Sequence, residues 1–430
     1  MFRRVLAGLA ILLIVVIAGL YAIAWRPAIA PIAPPAPTEF APQLIAQGAV
    51  LASAGYCAAC HTAPGGAPYA GGYALESPFG AIYSVNITPD PDTGIGRWSE
   101  AAFVRAMHEG VARDGSQLFP AFPYDHFSKI TRADLHALYA YFMTRAPVSM
   151  PAHRNTLPFP LNLRFLQGGY KLLFFHDSGV YRNAPGKTAA WNRGAYLAQG
   201  LSHCGGCHTP RNAFFAERTG NATYGGALLD GWYAPPLTGA SPAPLPWTEQ
   251  ELFVYLRSGA TALHGTAFGS MSDSIHGLSK LPDEDIRSLA VYFADIDGAA
   301  AKHVDTGAVV AKAMATSMLA NRQQEDRGAG LYLAACVSCH YNSGPTPLIV
   351  RPELALNTAL TAAQPTDLIQ VILHGVGVHE AVPGVMMPGF ANSFSNDDLA
   401  QLVAWLRRTR TGKPPWPDLA QRIVALRTDR

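Results

Sequence analysis

The chain opens on an apolar run, Val5 to Ala24, that no charge interrupts. About 20 such residues rise about 30 Å as a helix, enough to cross a bilayer core. Arg3 and Arg4 precede the run, so the positive-inside rule predicts a cytoplasmic N-terminus and an exported remainder. The run exceeds the apolar region of a cleaved signal peptide, which is about 7–15 residues. Trp25-Arg26 reads as an interfacial anchor, and an uncleaved span is the favoured expectation; Ala28-Ile29-Ala30 would be the site if cleavage occurs. Pro27 to Pro37 reads as a stiff, extended tether.

Beyond the tether, one pattern is written three times. Each copy opens with a short helical stretch: Gln47-Gly48-Ala49-Val50-Leu51, Arg193-Gly194-Ala195-Tyr196-Leu197 and Arg327-Gly328-Ala329-Gly330-Leu331. A second helix follows a variable loop, beginning at Trp98-Ser99-Glu100, Trp247-Thr248-Glu249 and Pro365-Thr366-Asp367, where Ser or Thr can cap. It ends at Gly110, Gly259 and Gly375, suited to a left-handed C-cap. A third, amphipathic helix carries Leu138 and Tyr141, Leu289 and Tyr292, or Leu402 and Trp405 on one core-facing stripe. Such stripes are ordinary core and imply no chemistry. No stretch alternates in the manner of a strand, so the fold class is all-α.

The resulting map is a membrane anchor over 1–26, a Pro-rich tether over 27–39 and repeats over 40–150, 187–297 and 322–410. Segments 151–186 and 298–321 read as linkers, and 411–430 as a C-terminal tail. Within the first linker, Leu157 to Phe175 is apolar, yet Pro158, Pro160, Gly168 and Gly169 bar a spanning helix. It reads as a surface for a partner or the membrane interface, or as a linker packed on its own domains.

Charged residues are 14% of the chain and the formal net charge is +2, which leaves no basic footprint for nucleic acid. The six cysteines, 57, 60, 204, 207, 336 and 339, each belong to a Cys-x-x-Cys-His unit. None is left over for a structural disulfide. A zinc site would need further paired ligands, and a redox pair would need a βαβ context. In a helical turn, Cys57, Cys60 and His61 present two thiols and one imidazole to one planar ligand, as do Cys204, Cys207, His208 and Cys336, Cys339, His340. Two thioethers to a porphyrin and a proximal imidazole on iron meet that description. The reading is three covalently bound haem c groups, each in a class-I-like cytochrome c domain.

Twelve residues beyond Gly259 and Gly375 stand Met271 and Met387, in identical register. Thioether sulfur is a usual sixth ligand in electron-transfer cytochromes. In the first repeat the same register falls on Phe122, which cannot ligate iron, and His126 lies four residues further. His126 is therefore the candidate sixth ligand there; the alternative is an exposed loop histidine beside a five-coordinate iron. His108 and His374 each stand one residue before their glycine, and because the repeat of His374 has a methionine available, His108 reads as a surface residue.

These residues resemble the triple-haem cytochrome c subunits of bacterial membrane-bound periplasmic dehydrogenases. The resemblance covers nearly the whole chain after the anchor. It rests on the three haem motifs, on Asn86-Ile87-Thr88-Pro89-Asp90 with Thr93-Gly94-Ile95-Gly96, and on His208-Thr209-Pro210-Arg211-Asn212. It implies a bacterial inner-membrane protein on the periplasmic side, taking electrons from a catalytic partner and passing them to ubiquinone or a terminal oxidase. Subunits serving quinoprotein alcohol dehydrogenases and flavin-dependent gluconate-type dehydrogenases carry methionine where this chain has Phe122. Those with Ala121-Phe122-Pro123-Tyr124-Asp125-His126-Phe127 accompany molybdenum hydroxylases such as aldehyde dehydrogenase. The implied partners are then a molybdopterin-containing subunit and a [2Fe-2S] subunit. No nucleophile with a base, nucleotide loop or paired acid site is present, so no dehydrogenase activity is expected of this chain alone. The rival from another class is a self-contained, peroxidase-like haem enzyme using the first haem.

Overall fold

A computed structural model describes residues 2–175, 179–229, 231–322, 326–377 and 384–428. The chain divides into two compact units, 1–185 with 196–203, and 186–195 with 204–430. The described residues are helix-rich, with little strand.

The first unit starts with α1 (Phe2–Ala24), a helix long and apolar enough to span a membrane. The segment after it is extended, as its prolines dictate, but is stitched down along its length. Arg105 donates to the Pro27 carbonyl at 2.7 Å, and backbone bonds join Ile29 to Arg113 and Ile32 to Arg97. Next come α2 (Pro42–Ala54), the single turn α3 (Cys57–Cys60), the hairpin β1 (Ala74–Leu75) and β2 (Ile82–Tyr83), and α4 (Glu100–Glu109). A short α5 (Tyr124–Phe127) leads to α6 (Arg132–Met143), and α7 (Leu166–Phe174) follows the third repeat element. Ser99 caps α4 by accepting from the Ala102 amide, and Gly110 ends it in the left-handed region at φ 62°.

Then come α8 (Ala189–Gln199), the turn α9 (Gly205–His208), and the hairpin β3 (Ala227–Leu229) with β4 (Trp232–Ala234). They are followed by α10 (Glu249–Ser258), a hairpin of β5 (Ala260–Thr261) with β6 (Gly265–Thr266), α11 (Ser270–Leu278) and α12 (Asp283–Asp297). The chain continues through α13 (Thr306–Ala320), α14 (Arg327–Ala335), the turn α15 (Val337–His340), α16 (Thr358–Thr361), α17 (Thr366–His374), α18 (Asn396–Thr411) and α19 (Leu419–Thr428). The strands are two or three residues long, too short for alternation to show in the sequence.

The three repeats share one crossing. The first helix packs on the last at a glycine: Gly48 on Ala137 and Tyr141, Gly194 on Ser288 and Tyr292, Gly328 on Gln401 and Trp405. A Cβ at these glycines would fall 2.0, 1.9 and 2.4 Å from the nearest heavy atom of the last helix, so only glycine admits the approach. The preceding residue ties down the aspartate that opens the last helix. Gln47 donates to Asp134 at 3.1 Å, Arg193 makes a bidentate pair with Asp285 at 2.7 and 2.8 Å, and Arg327 pairs with Asp398. The aromatics predicted as ordinary core are therefore the surfaces that receive those glycines.

The third repeat departs from expectation in two ways. Pro365 occupies the N-cap of α17 and no side chain caps it, because Thr366 already lies inside the helix. Gly375 has φ 78° but ψ −168°, outside the left-handed helical region, since Val376 turns directly into pairing with Met387. Segments read as linker and tail also add structure to this repeat. Met314 and Ala320 of α13, and Trp416, Leu419 and Ile423 around α19, are buried, and the last four join the core of Leu399, Leu402 and Trp405.

Candidate functional site

Each Cys-x-x-Cys-His unit folds as one helical turn, closed by a hydrogen bond from the histidine amide to the first cysteine carbonyl. These are His61 to Cys57 at 2.9 Å, His208 to Cys204 at 3.0 Å and His340 to Cys336 at 2.9 Å. No disulfide links the six cysteines. Burial pushes the Cys57 and Cys204 thiols up to about 12 and Cys336 to about 11, with the neighbouring cysteine adding to the shift. Reactive or redox thiols show the opposite, a depressed pKa in an electropositive setting.

Two of the three imidazoles are held by backbone carbonyls. Nδ1 of His61 lies 2.7 Å from the Val85 carbonyl, and Nδ1 of His208 lies 2.7 Å from the Pro235 carbonyl. A carbonyl only accepts, so Nδ1 carries the proton and Nε2 keeps the lone pair that binds metal. The Pro352 carbonyl faces His340 in a looser geometry that falls short of a hydrogen bond. Burial lowers the pKa of all three imidazoles, which favours the neutral, ligating form. Donor set and protonation state fit a haem c at each turn, and the tautomer does so at the first two.

Around the first two turns, glycines and polar loops position those carbonyls. The backbone carbonyls of His61 and His208 each accept from a glycine amide at 2.8 Å, Gly71 and Gly226. Both glycines have positive φ, 80° and 83°. A Cβ there would meet Val85 at 2.5 Å or Pro236 at 2.7 Å. Beyond Val85, buried Asn86 donates to Thr93 Oγ1 and the Val148 carbonyl while accepting from the amide and hydroxyl of Thr88. In the second turn, Arg211 donates to the Gly206 carbonyl at 2.7 Å. The sequence marked Asn86 and Arg211 only as motif letters; their hydrogen bonds brace the loop after Val85 and the turn that carries His208.

Met387 is half-buried and packs on the same core cluster as Cys336 and Val337, whereas Met386 is 60% exposed. Met271 is half-buried in the first turn of α11. The identical spacing that singled out the two methionines is not identical geometry. In the first two repeats the residue after the glycine pairs with Gln117 or Thr266, and the next amide, Leu118 or Ala267, returns to the glycine carbonyl. Phe122 and Met271 thus share a backbone register. In the third repeat Val376 pairs with Met387 itself, so that loop takes another path.

His126 is 7% exposed, not a solvent-facing loop residue. Its Nδ1 lies 2.9 Å from the Gln199 carbonyl, the same kind of contact that His61 and His208 make. Phe122 packs edge-on against Phe127, ring centroids 5.2 Å apart. His108 is half-buried and bonds the Ile130 carbonyl at 2.9 Å, which makes it a structural tie and not a surface residue.

The family model described as cytochrome c oxidase, cbb3-type, subunit III matches residues 323–406. The chain is 41% identical over 410 residues to a nicotinate dehydrogenase subunit of Pseudomonas putida, covering 95% of this chain but only 34% of that protein. It is 36% identical over 398 residues to an alcohol dehydrogenase (quinone) cytochrome c subunit of Gluconacetobacter polyoxogenes, covering 89% and 84% of the two chains. With the gluconate 2-dehydrogenase cytochrome c subunit of Pantoea cypripedii it shares 34% identity over 400 residues, 90% of each chain.

Proposed function

The chain belongs to the cytochrome c subunits of dehydrogenase complexes, electron-transfer proteins with covalently bound haem c, and from that premise we propose that it carries three haems and serves a molybdenum- and iron–sulfur-containing aldehyde dehydrogenase, delivering electrons to ubiquinone or the respiratory chain. The reading includes a position on the periplasmic side of the bacterial inner membrane, held by α1. The observation that carries the haem count is the threefold recurrence of one Cys-x-x-Cys-His turn with a carbonyl facing the imidazole Nδ1.

When bound, haem supplies one-electron chemistry at its iron. The chain's residues supply the rest. Cys57 and Cys60, Cys204 and Cys207, and Cys336 and Cys339 hold the macrocycles. His61, His208 and His340 would present Nε2, and in the first two the Val85 and Pro235 carbonyls keep Nδ1 protonated. Met271 and Met387 would complete the hold on iron at the second and third sites, and His126 at the first. An imidazole in place of a thioether favours the ferric state, so the first site is the low-potential one.

One observation favours the molybdenum branch. Phe122 stands in the backbone register of Met271, so the first site lacks its methionine. The second reading, service to a quinoprotein alcohol or flavin-dependent gluconate-type dehydrogenase, draws on the fuller coverage of those relatives. Affinity purification of the complex from its native membrane separates the two. Molybdenum and acid-labile sulfide in the co-purified subunits support the first reading; a quinone cofactor or flavin without molybdenum overturns it.

A further inference from the structure

The apolar stretch that interrupts the first two repeats has a structural role at the base of α1. Its helix, α7, packs against α1. Gly168 seats on Ala24, where a Cβ would fall 2.4 Å from the Ala24 side chain, and Ala24 is 4% exposed at this joint. One turn later, Lys171 Nζ donates to the carbonyls of Glu109 and Gly110 at 2.6 and 2.7 Å and to Gln117 Oε1 at 2.7 Å. The C-terminal carbonyls of a helix are a natural seat for a cation. Gln117 in turn donates to the Ala24 carbonyl at 2.5 Å. The end of α1, the end of α4 and the inner face of α7 therefore form one joint.

The other face of α7 is apolar and uncovered. Leu172 is 60% and Leu173 66% exposed; in the approach to the helix Phe159 is 79% and Leu161 40% exposed. Trp25, next in sequence to the Ala24 that Gly168 seats on, is 56% exposed. Arg26 and Arg164 are exposed cations flanking the joint. Apolar residues backed by Trp and flanked by Arg are the composition of a helix lying in the headgroup–acyl boundary.

We propose that α7 is an in-plane interfacial helix, with Leu172 and Leu173 in the acyl region of the leaflet where α1 ends, so that the first repeat is held against the bilayer at a defined attitude. The occupant of this surface is lipid because the surface is continuous with the span: α7 is bolted to the last residue of α1, at the depth where the span leaves the hydrocarbon. The inference rests on the reading of α1 as an uncleaved anchor.

The test uses the full-length holoprotein in nanodiscs of phosphatidylethanolamine and phosphatidylglycerol, without other subunits. Leu172→Cys, Leu173→Cys, Leu9→Cys on α1 and exposed Ala152→Cys each receive a nitroxide, the native cysteines being consumed by thioethers. Power saturation compares collision with oxygen, which partitions into acyl chains, and with a neutral nickel chelate, which stays in water. The proposal expects labels at 172 and 173 to match that at 9, oxygen collisions exceeding nickel collisions severalfold, with 152 reversed. If 9 reads as lipid while 172 and 173 read as water, the interfacial helix is wrong and the anchor stands. If 9 also reads as water, the anchor reading fails and takes the proposal with it. Labels at 172 and 173 shielded from both reagents indicate a protein contact and likewise overturn it.

Discussion

Gly194 lies so close to Ser288 that a Cβ would sit 1.9 Å from the Ser288 carbonyl oxygen. The neighbouring Arg193 and Asp285 close the same crossing with two charge-assisted hydrogen bonds. Gly194→Ala must push α8 off α12, and overpacking a tight contact costs about 3 kcal/mol. The variant should show a lower urea midpoint for the second repeat and reduced haem at Cys204 and Cys207, measured by peptide mapping. Full haem content with an unchanged midpoint would show that the crossing tolerates a methyl group.

Asp367 on α17 is buried and accepts from the Tyr233 amide at 2.8 Å. Burial raises its pKa from 3.8 to about 7, the amide only partly opposing; Tyr233 and Tyr255 are the titratable groups that sense its charge. The folded state therefore holds a proton that the unfolded state releases. Its contribution is complete below about pH 4 and is lost as pH rises through about 7, a difference on the order of 4 kcal/mol. His264, stacked on Trp247 at 3.7 Å, has both ring nitrogens unpartnered among the described residues. Burial lowers its pKa to about 4, so its contribution is present above about 6.5 and lost as pH falls through 4. The two slopes oppose each other. Asp367→Asn should stabilise the protein at pH 8 and leave a denaturation midpoint that rises from pH 4.5 to 6.5. A profile unchanged from wild type would place the carboxyl's titration elsewhere.

Asn86 makes four hydrogen bonds in the loop that follows Val85. Asn86→Ala leaves the Val148 carbonyl and the Thr88 amide short of partners, a loss of about 2 kcal/mol. Thermal unfolding should fall accordingly, and the midpoint potential of the first haem should shift while the other two stay. Equal shifts in all three would show a global effect instead.

How much of this was legible in the sequence varies by residue. Cys57, Cys60 and His61 and their two copies declare their chemistry by spacing alone. Gly48, Gly194 and Gly328 were visible as a repeat, but their function needs the partner helix. The carbonyls of Val85 and Pro235 carry no letter, since any residue can offer a backbone oxygen. Equal spacing does not bring equal backbone pairing in the third repeat, where pairing of Val376 with Met387 replaces the earlier turn. The helices α13 and α19 were hidden because weakly periodic, Ala-rich or short segments bury one face only when a neighbour is present.

His126 offers a sharper test of site assignment. Its burial and the Gln199 contact predict that His126→Ala opens the first haem to carbon monoxide and raises its potential, leaving two methionine-ligated haems unchanged. Near-infrared magnetic circular dichroism counts the sulfur-to-iron bands, and two are expected. Carbon monoxide binding by the wild-type protein would give the sixth position to no side chain.

Most direct is the mass of the denatured full-length protein after expression with the cytochrome c maturation machinery. Three covalent haem additions per chain, each mapped to one of Cys57/Cys60, Cys204/Cys207 and Cys336/Cys339, are the predicted result. Two additions, one or none would contradict the account, because one of the three turns would then hold something other than haem.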